Sequence, residues 1–268
     1  MNPLLSVKLS VDYSNNPGVL RKVSLDIAQG EIVGLAGQSG SGKSTLALAI
    51  LGLLDPRRAR VTGSVWFDGR DLLRCSEREL RGIRGRRIGL VLQGASESLN
   101  PNLRIGSQLR ESWRAHEKGD WSHQTPRVIE NLQSLGLNCD ESFLRRFPGQ
   151  ISVGQAQRVL VGMAVMHKPP LLIVDEPTSA LDAIARAELI GLFRKLNREF
   201  NGAMLYISHD LATVASLCSR VCILDGGEVI ESGTPEEIFT MPSQAFTRRL
   251  VGALRDSPME LARYGDTP

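Results

Sequence analysis

The chain has 268 residues, of which 42% are hydrophobic and 23% charged, enough for one large α/β core or two small ones and too apolar for a disordered sequence. Thirty-two basic residues against 29 acidic ones leave a formal charge of +3, a balance that argues against nucleic acid as the main partner. Cys75, Cys139, Cys218 and Cys222 form no CxxC pair, and no histidine sits near Cys218 or Cys222, which argues against a disulfide framework or a zinc site and for reduced thiols in a reducing compartment.

No apolar run approaches the roughly 20 residues needed to cross a bilayer. The opening MNPLLSVKLSVDYS does not have the pattern of a signal peptide, so any membrane role is expected to come through a partner. Residues 4–13 alternate apolar and polar, as an edge strand does; Asn15-Asn16-Pro17-Gly18 has turn chemistry, and residues 19–28 alternate again. Ile32–Ala36 is a short apolar run that leads into a glycine-rich loop. A helix is predicted from about Lys43 to Leu54, ended by Pro56.

Strands follow at 61–68 and 86–93. From about 94 to 165 helical patterns dominate, broken by Asn100-Pro101, by the polar stretch 116–126 and by Pro148-Gly149, which reads as a helical insert. The core resumes with Leu171–Val174, a helix over 181–200, a strand at 203–207 and strands near 221–224 and 227–231. Leu189, Leu192, Phe193 and Leu196 fall on one face of the 181–200 helix. This alternation predicts a mostly parallel sheet with helices on both faces, and a tail of about 30 residues.

Gly37-Gln38-Ser39-Gly40-Ser41-Gly42-Lys43-Ser44 fits GxxxxGK[ST] in full, between a predicted strand and a predicted helix. Glycines let successive backbone N–H groups turn inward as an anion nest, and the helix that follows points its positive end at phosphates. Lys43 is expected to reach the β- and γ-phosphates, Ser44 to ligate Mg²⁺ and Thr45 to help with the α-phosphate. Leu171–Val174 runs into Asp175 and Glu176, two acids at the carboxyl end of a strand, where ligands of open α/β sheets gather. Asp175 is expected to hold Mg²⁺ and Glu176 to polarise an attacking water.

Further segments carry a resemblance. Ile151-Ser152-Val153-Gly154-Gln155 resembles the LSGGQ signature of ABC ATPases, and Gln155 stands 20 residues before Asp175. Asp175 through Asp182 resembles the joined Walker B and D-loop, with Ser179, Ala180, Leu181 and Asp182 as the latter. Ile207-Ser208-His209-Asp210 resembles the switch-histidine segment, Gln93 the Q-loop glutamine, and Tyr13 is placed like the aromatic that stacks on adenine. The resemblance covers about residues 4–240.

It implies an α/β fold: a P-loop NTPase (RecA-like) core with an N-terminal antiparallel β subdomain and a helical subdomain inserted at about 94–165, together an ATPase domain over 1–240, with 241–268 as a C-terminal tail. It also implies two domains packed head to tail around two ATP molecules with Mg²⁺. Ser152, Val153, Gly154 and Gln155 would face the partner's ATP. His209 would contact the γ-phosphate and the attacking water, and Gln93 would touch Mg²⁺ or that water.

Ser98-Leu99-Asn100-Pro101, Phe147-Pro148-Gly149-Gln150 and Gly233–Phe239, with Pro242 and Phe246–Leu250 beyond it, resemble the oligopeptide, dipeptide and nickel importer branch. That branch implies a second, different ATPase subunit, two permease subunits, an extracytoplasmic solute-binding protein reached through the complex, no nucleic acid, and a peripheral position on the cytoplasmic face of the membrane. Val153 departs from the signature, placing a stiff β-branched residue where glycine is usual. Either the partner's ATP site is weakened and the dimer is asymmetric, or the backbone N–H still serves. Two other readings stand beside the importer: an ABC ATPase of repair or translation, though no coiled-coil insert or zinc module is present, and an ATP-binding regulatory subunit with weak catalysis.

Overall fold

The structure is a computed structural model that describes residues 3–94, 98–179 and 181–255. The sequence readings that involve Ala95–Glu97, Ala180 and residues 256–268 lie outside the described residues. The described residues form two compact units, one within 3–27, 31–73 and 206–255, the other within 28–30 and 74–205.

In the first unit, β1 (Leu5–Tyr13) pairs antiparallel with β2 (Asn16–Ile27) and with β4 (Ala59–Phe67), and β5 (Arg70–Asp71) completes the order β2-β1-β4-β5. The alternation read from the sequence puts Leu5, Val7, Leu9 and Val11 on one buried face. Register across β1 and β4 depends on Gly63, at φ +113°, where a Cβ would stand 2.1 Å from the Lys8 carbonyl oxygen.

The same unit holds β3 (Ile32–Ala36), buried throughout and parallel to β9 (Arg220–Asp225); β10 (Glu228–Gly233) returns antiparallel to β9. Next to β3 lies β8 (Ala203–Ser208), whose last three residues belong to this unit. The apolar run Ile32–Ala36 is thus a central parallel strand, as an unbroken apolar stretch requires.

α1 (Lys43–Ile50) is shorter than its sequence predicts. Gly52 adopts φ +61° and the Leu53 N–H bonds the Leu48 carbonyl at 2.9 Å, a C-terminal cap that stops the helix before the apolar pattern ends. α8 (Leu211–Leu217), α9 (Pro235–Thr240) and α10 (Ala245–Arg255) complete the unit. α8 packs on β3 across Gly34, where a Cβ would meet Val214 at 2.2 Å and the Cys218 sulfur at 2.9 Å. α10 occupies part of the stretch read as a tail and packs against α8.

The second unit holds β6 (Ile88–Val91), parallel to β7 (Leu171–Asp175), with the first three residues of β8 beside β7. Its helices are α2 (Glu77–Ile83), α3 (Ile105–Arg114), α4 (Trp121–Ser134), α5 (Glu141–Leu144), α6 (Val153–Val165) and α7 (Ala183–Phe200). From 98 to 165 the regular structure described is helical, as the sequence pattern predicts. α6 meets α4 closely at Gly162, where a Cβ would lie 2.5 Å from Leu132. Leu189, Leu192, Phe193 and Leu196 of α7 are all buried, as their periodicity requires. All four cysteines are free thiols, three of them buried.

Candidate functional site

β3 delivers the chain to the loop at Gly37. That residue is buried, and a Cβ on it would stand 2.2 Å from the Leu224 carbonyl oxygen of β9, so only glycine lets the loop leave the strand here. The Ser41 N–H donates to the Gln38 carbonyl at 3.2 Å and closes the turn. Gly40 (φ +82°) and Gly42 (φ +104°) both sit in the left-handed region. Gly42 is also the N-cap of α1 and brings no side-chain oxygen, so the helix N-terminus carries no side-chain cap of its own.

Lys43 is only 6% exposed. Its Nζ donates to the Gly37 carbonyl at 2.8 Å and the Gln38 carbonyl at 2.9 Å, folding the ammonium back over the loop. Ser44 is exposed beside it and Thr45 half-buried. Ser41 Oγ is buried without a hydrogen-bond partner. The result is a concave turn with backbone N–H groups, one ammonium and one hydroxyl, the chemistry that holds a polyphosphate. In the same unit, Tyr13 ends β1 half-buried, and exposed His209 stands between β8 and the α8 N-cap Asp210. Asp210 is fixed by the Thr213 N–H at 3.1 Å and donates its own N–H to Ser208 Oγ at 3.0 Å.

In the second unit, β7 ends in Asp175 (4% exposed), and Glu176 (8% exposed) follows it directly. Glu176 adopts φ +48°, a left-handed conformation that is unusual for a residue with a side chain. Its carbonyl accepts the Ser179 hydroxyl at 3.2 Å, and the Leu181 N–H bonds the Thr178 carbonyl at 3.2 Å. Asp182 caps α7 through the Ala185 N–H at 2.8 Å. Gln93 is exposed just past β6, and its carbonyl accepts the Ser98 hydroxyl at 3.4 Å.

Ser152 and Gln155 form a capping box at the start of α6. Ser152 Oγ accepts the Gln155 N–H at 3.2 Å, and Gln155 Oε1 accepts the Ser152 N–H at 3.0 Å. With its oxygen used as acceptor, the Ser152 hydroxyl keeps its proton to donate. Val153 is the first helical residue, 42% exposed, on ordinary helical backbone. A Cβ on Gly154 would meet nothing within 4 Å, so the fold itself does not require glycine there.

Ser152, Gln155 and Leu181 line one hollow of about 270 Å³. Arg158, at the back of it, was not singled out by the sequence. Its guanidinium donates to Glu188 Oε2 and to the Leu135 carbonyl, each at 2.6 Å. A lone arginine in a helix with no capping or i,i+4 partner carries no signal in sequence.

Comparison with known proteins decides the family. The profile described as "ABC transporter" matches residues 20–179, a span that contains the loop, Gln93, Ser152–Gln155 and both acids. The chain belongs to the ABC transporter family. It is 40% identical over 256 residues to the peptidoglycan transport ATP-binding protein YejF of Agrobacterium fabrum, covering 94% of this chain and 47% of that one, so it spans about half of that relative. It is 37% identical over 269 aligned residues to the dipeptide transport ATP-binding protein DppD of Escherichia coli, covering 99% of this chain and 82% of that one. The oligopeptide transport ATP-binding protein OppD of Bacillus subtilis is 35% identical over 256 residues, 94% of this chain and 72% of that one.

Among solved structures, the dimeric post-hydrolysis state of the ATP-binding cassette MJ0796 bound to ADP and Pi superposes with a TM-score of 0.75 at 29% identity, over 86% of this chain and 98% of that one. cbiO1 from Clostridium perfringens, part of the ABC transporter complex cbiONQ, gives 0.75 at 27% identity, over 90% and 92%. These ABC cassettes share the α/β P-loop architecture expected from the sequence.

Proposed function

We propose that this chain is the ATP-binding and ATP-hydrolysing subunit that energises an ABC importer for peptides, or for nickel and similar metal chelates. The observation that carries this reading is the loop at residues 37–44, with Lys43 folded over it and glycine enforced at Gly37 by the Leu224 carbonyl. The peptide side of the substrate class is supported by the names of the relatives; the nickel side rests only on the branch resemblance of Ser98–Pro101, Phe147–Gln150 and the Gly233–Leu250 stretch, which peptide and nickel importers share.

In this reading the loop amides, Lys43 and Thr45 bind the phosphates and Tyr13 stacks on adenine. Glu176 takes up the proton side of the attacking water, and His209 and Gln93 orient it. Ser44 and Asp175 offer a hydroxyl and a carboxylate, hard oxygen donors that fit magnesium arriving on the nucleotide, and no cluster of three or more metal-binding side chains exists among the described residues. Bound Mg²⁺ supplies charge neutralisation at the phosphate oxygens.

Ser152, Val153, Gly154 and Gln155 present a capped helix start to the ATP of a second ATPase subunit, with Ser179–Asp182 alongside as D-loop. The open space above Gly154 fits close approach by such a partner. Two permeases, and through them a solute-binding protein, complete the complex. Among the described residues no helix is long and apolar enough to cross a membrane, which fits a peripheral place on the cytoplasmic face.

The test is a titration with MgATP. Wild type binds and Lys43→Ala binds at least about tenfold more weakly, because a charge-assisted contact to phosphate is lost. Equal binding by the two would overturn the proposal.

A further inference from the structure

We propose that Arg158 is a positioning residue that holds the signature helix and the D-loop helix in one fixed arrangement; this rests on the ATPase reading above. Arg158 lies on α6, six residues past the N-cap Ser152, and Glu188 lies on α7, six residues past the N-cap Asp182. The pair at 2.6 Å therefore ties the two helices in their second turns, about 9 Å of helix from each cap.

The second nitrogen of the guanidinium bonds the carbonyl of Leu135, the residue that closes α4, also at 2.6 Å. One planar fork thus joins three helices, which lysine cannot do. The Arg158 side chain is 18% exposed, shielded enough for the geometry to be held, whereas Glu188 is 58% exposed. In front of the fork, the hollow of about 270 Å³ is lined by Ser152 and Gln155 from one helix start and by Leu181 from the other. The two segments that would act together on a partner's ATP are set by the same side chain.

Gly136, at φ +79°, belongs to the device. A Cβ there would stand 2.5 Å from the Arg158 guanidinium. Gly136→Ala is therefore a second way to displace the fork without removing its charge.

The experiment uses the complex isolated from the host through an affinity tag on this chain, with steady-state ATPase rates and MgATP affinity of the chain measured together. Arg158→Ala is expected to lower kcat about tenfold while this chain's own nucleotide affinity stays within about twofold, since misplaced groups cost rate rather than ground-state binding. Arg158→Lys, which reaches one of the two acceptors, should fall between, and Gly136→Ala should resemble Arg158→Ala. Were Arg158→Ala not to fold, Glu188→Gln reads the same quantity.

Unchanged kcat in Arg158→Ala, or in Glu188→Gln where that variant stands in, overturns the positioning role. So does a loss of kcat matched by an equal loss of nucleotide affinity. Failure of the ATPase reading looks different: wild type itself would bind no MgATP, or Lys43→Ala would bind as wild type does.

Discussion

Glu176 shows how much a single backbone angle can decide. Left-handed φ costs a side-chain-bearing residue roughly 1–2 kcal/mol, yet the chain places a carboxylate at φ +48° where glycine would be relaxed. Glu176→Gln is expected to keep MgATP affinity and to lower turnover at least about a hundredfold, measured as phosphate release. Glu176→Gly should be equally inactive but melt at a higher temperature, because the strain is gone. A lower melting temperature for Glu176→Gly would contradict the strain account.

Two glycines separate structural from functional need at the same scale. Gly37→Ala forces a Cβ to 2.2 Å from a backbone oxygen and should cost about 1–3 kcal/mol of stability, as overpacking does, along with nucleotide binding. Gly154→Ala meets nothing within 4 Å, so thermal melting should leave its stability unchanged while turnover of the complex falls. The turn at Gly37–Ser44 between β3 and α1 was legible because the GxxxxGK[ST] pattern leaves few alternatives at each position. Arg158 was not, since its partners Leu135 and Glu188 are 23 and 30 residues away and a single sequence does not reveal such pairings.

At the scale of elements, three capping boxes, Ser76/Glu79, Ser152/Gln155 and Thr234/Glu237, start α2, α6 and α9. Ser76→Ala and Ser152→Ala each remove a cap worth about 1 kcal/mol. Thermal melting should therefore shift by similar amounts, whereas only Ser152→Ala should reduce ATPase turnover of the complex. Equal turnover in the two variants would reduce Ser152 to a helix cap. The strands were readable because period-2 burial in β1 and β2 and solid burial in β3 and β7 leave clear patterns.

The helices were less legible. The apolar Leu53-Leu54 extended the pattern of α1 past Gly52, where the backbone had already turned. α2 and α8 have seven residues each, two turns, too short for periodicity to stand out. α4 begins at Trp121 inside a stretch that read as a polar break and contains Pro126, because Asp120 caps it through the Ser122 N–H at 3.0 Å. A single unmade backbone bond at Pro126 is tolerated where Val128 and Leu132 are buried.

For the whole molecule, the perturbed carboxylates and His116 pull stability in one direction with pH. Burial pushes the Glu231 carboxyl up, but the Thr247 side chain, the N–H and hydroxyl of Ser243 and the N–H of Gln244 together outweigh it and hold it below the usual range. Asp140 is lowered by the Ser142 hydroxyl and the Phe143 N–H. His116 is depressed by burial first, and then by His167, edge-on at 5.1 Å, and by Arg86, against smaller opposing pulls from the Arg84 backbone and from Glu117. In each case the folded chain binds fewer protons than the unfolded one, so stability is lost as pH falls. The histidine part of the loss begins near its unfolded value of about 6.5 and the carboxylate part near about 4. The urea midpoint should therefore drop between pH 7.5 and 5.5, and His116→Asn should flatten that drop.

The seat of Cys218 beneath Gly34 gives the molecule a built-in chemical clock. Its sulfur would be 2.9 Å from a Cβ at Gly34, and burial drives its thiol far above the ordinary range, while burial raises Cys139 to about 11 and Cys222 also upward. Cys75 alone is partly accessible. A thiol reagent should therefore modify one sulfur quickly and the others only at the pace at which their surroundings breathe. For Cys218 that pace is the lifting of α8 from the strand that feeds the turn at Gly37–Ser44, so if that turn binds nucleotide as proposed, saturating nucleotide should slow its labelling and leave the Cys75 rate untouched.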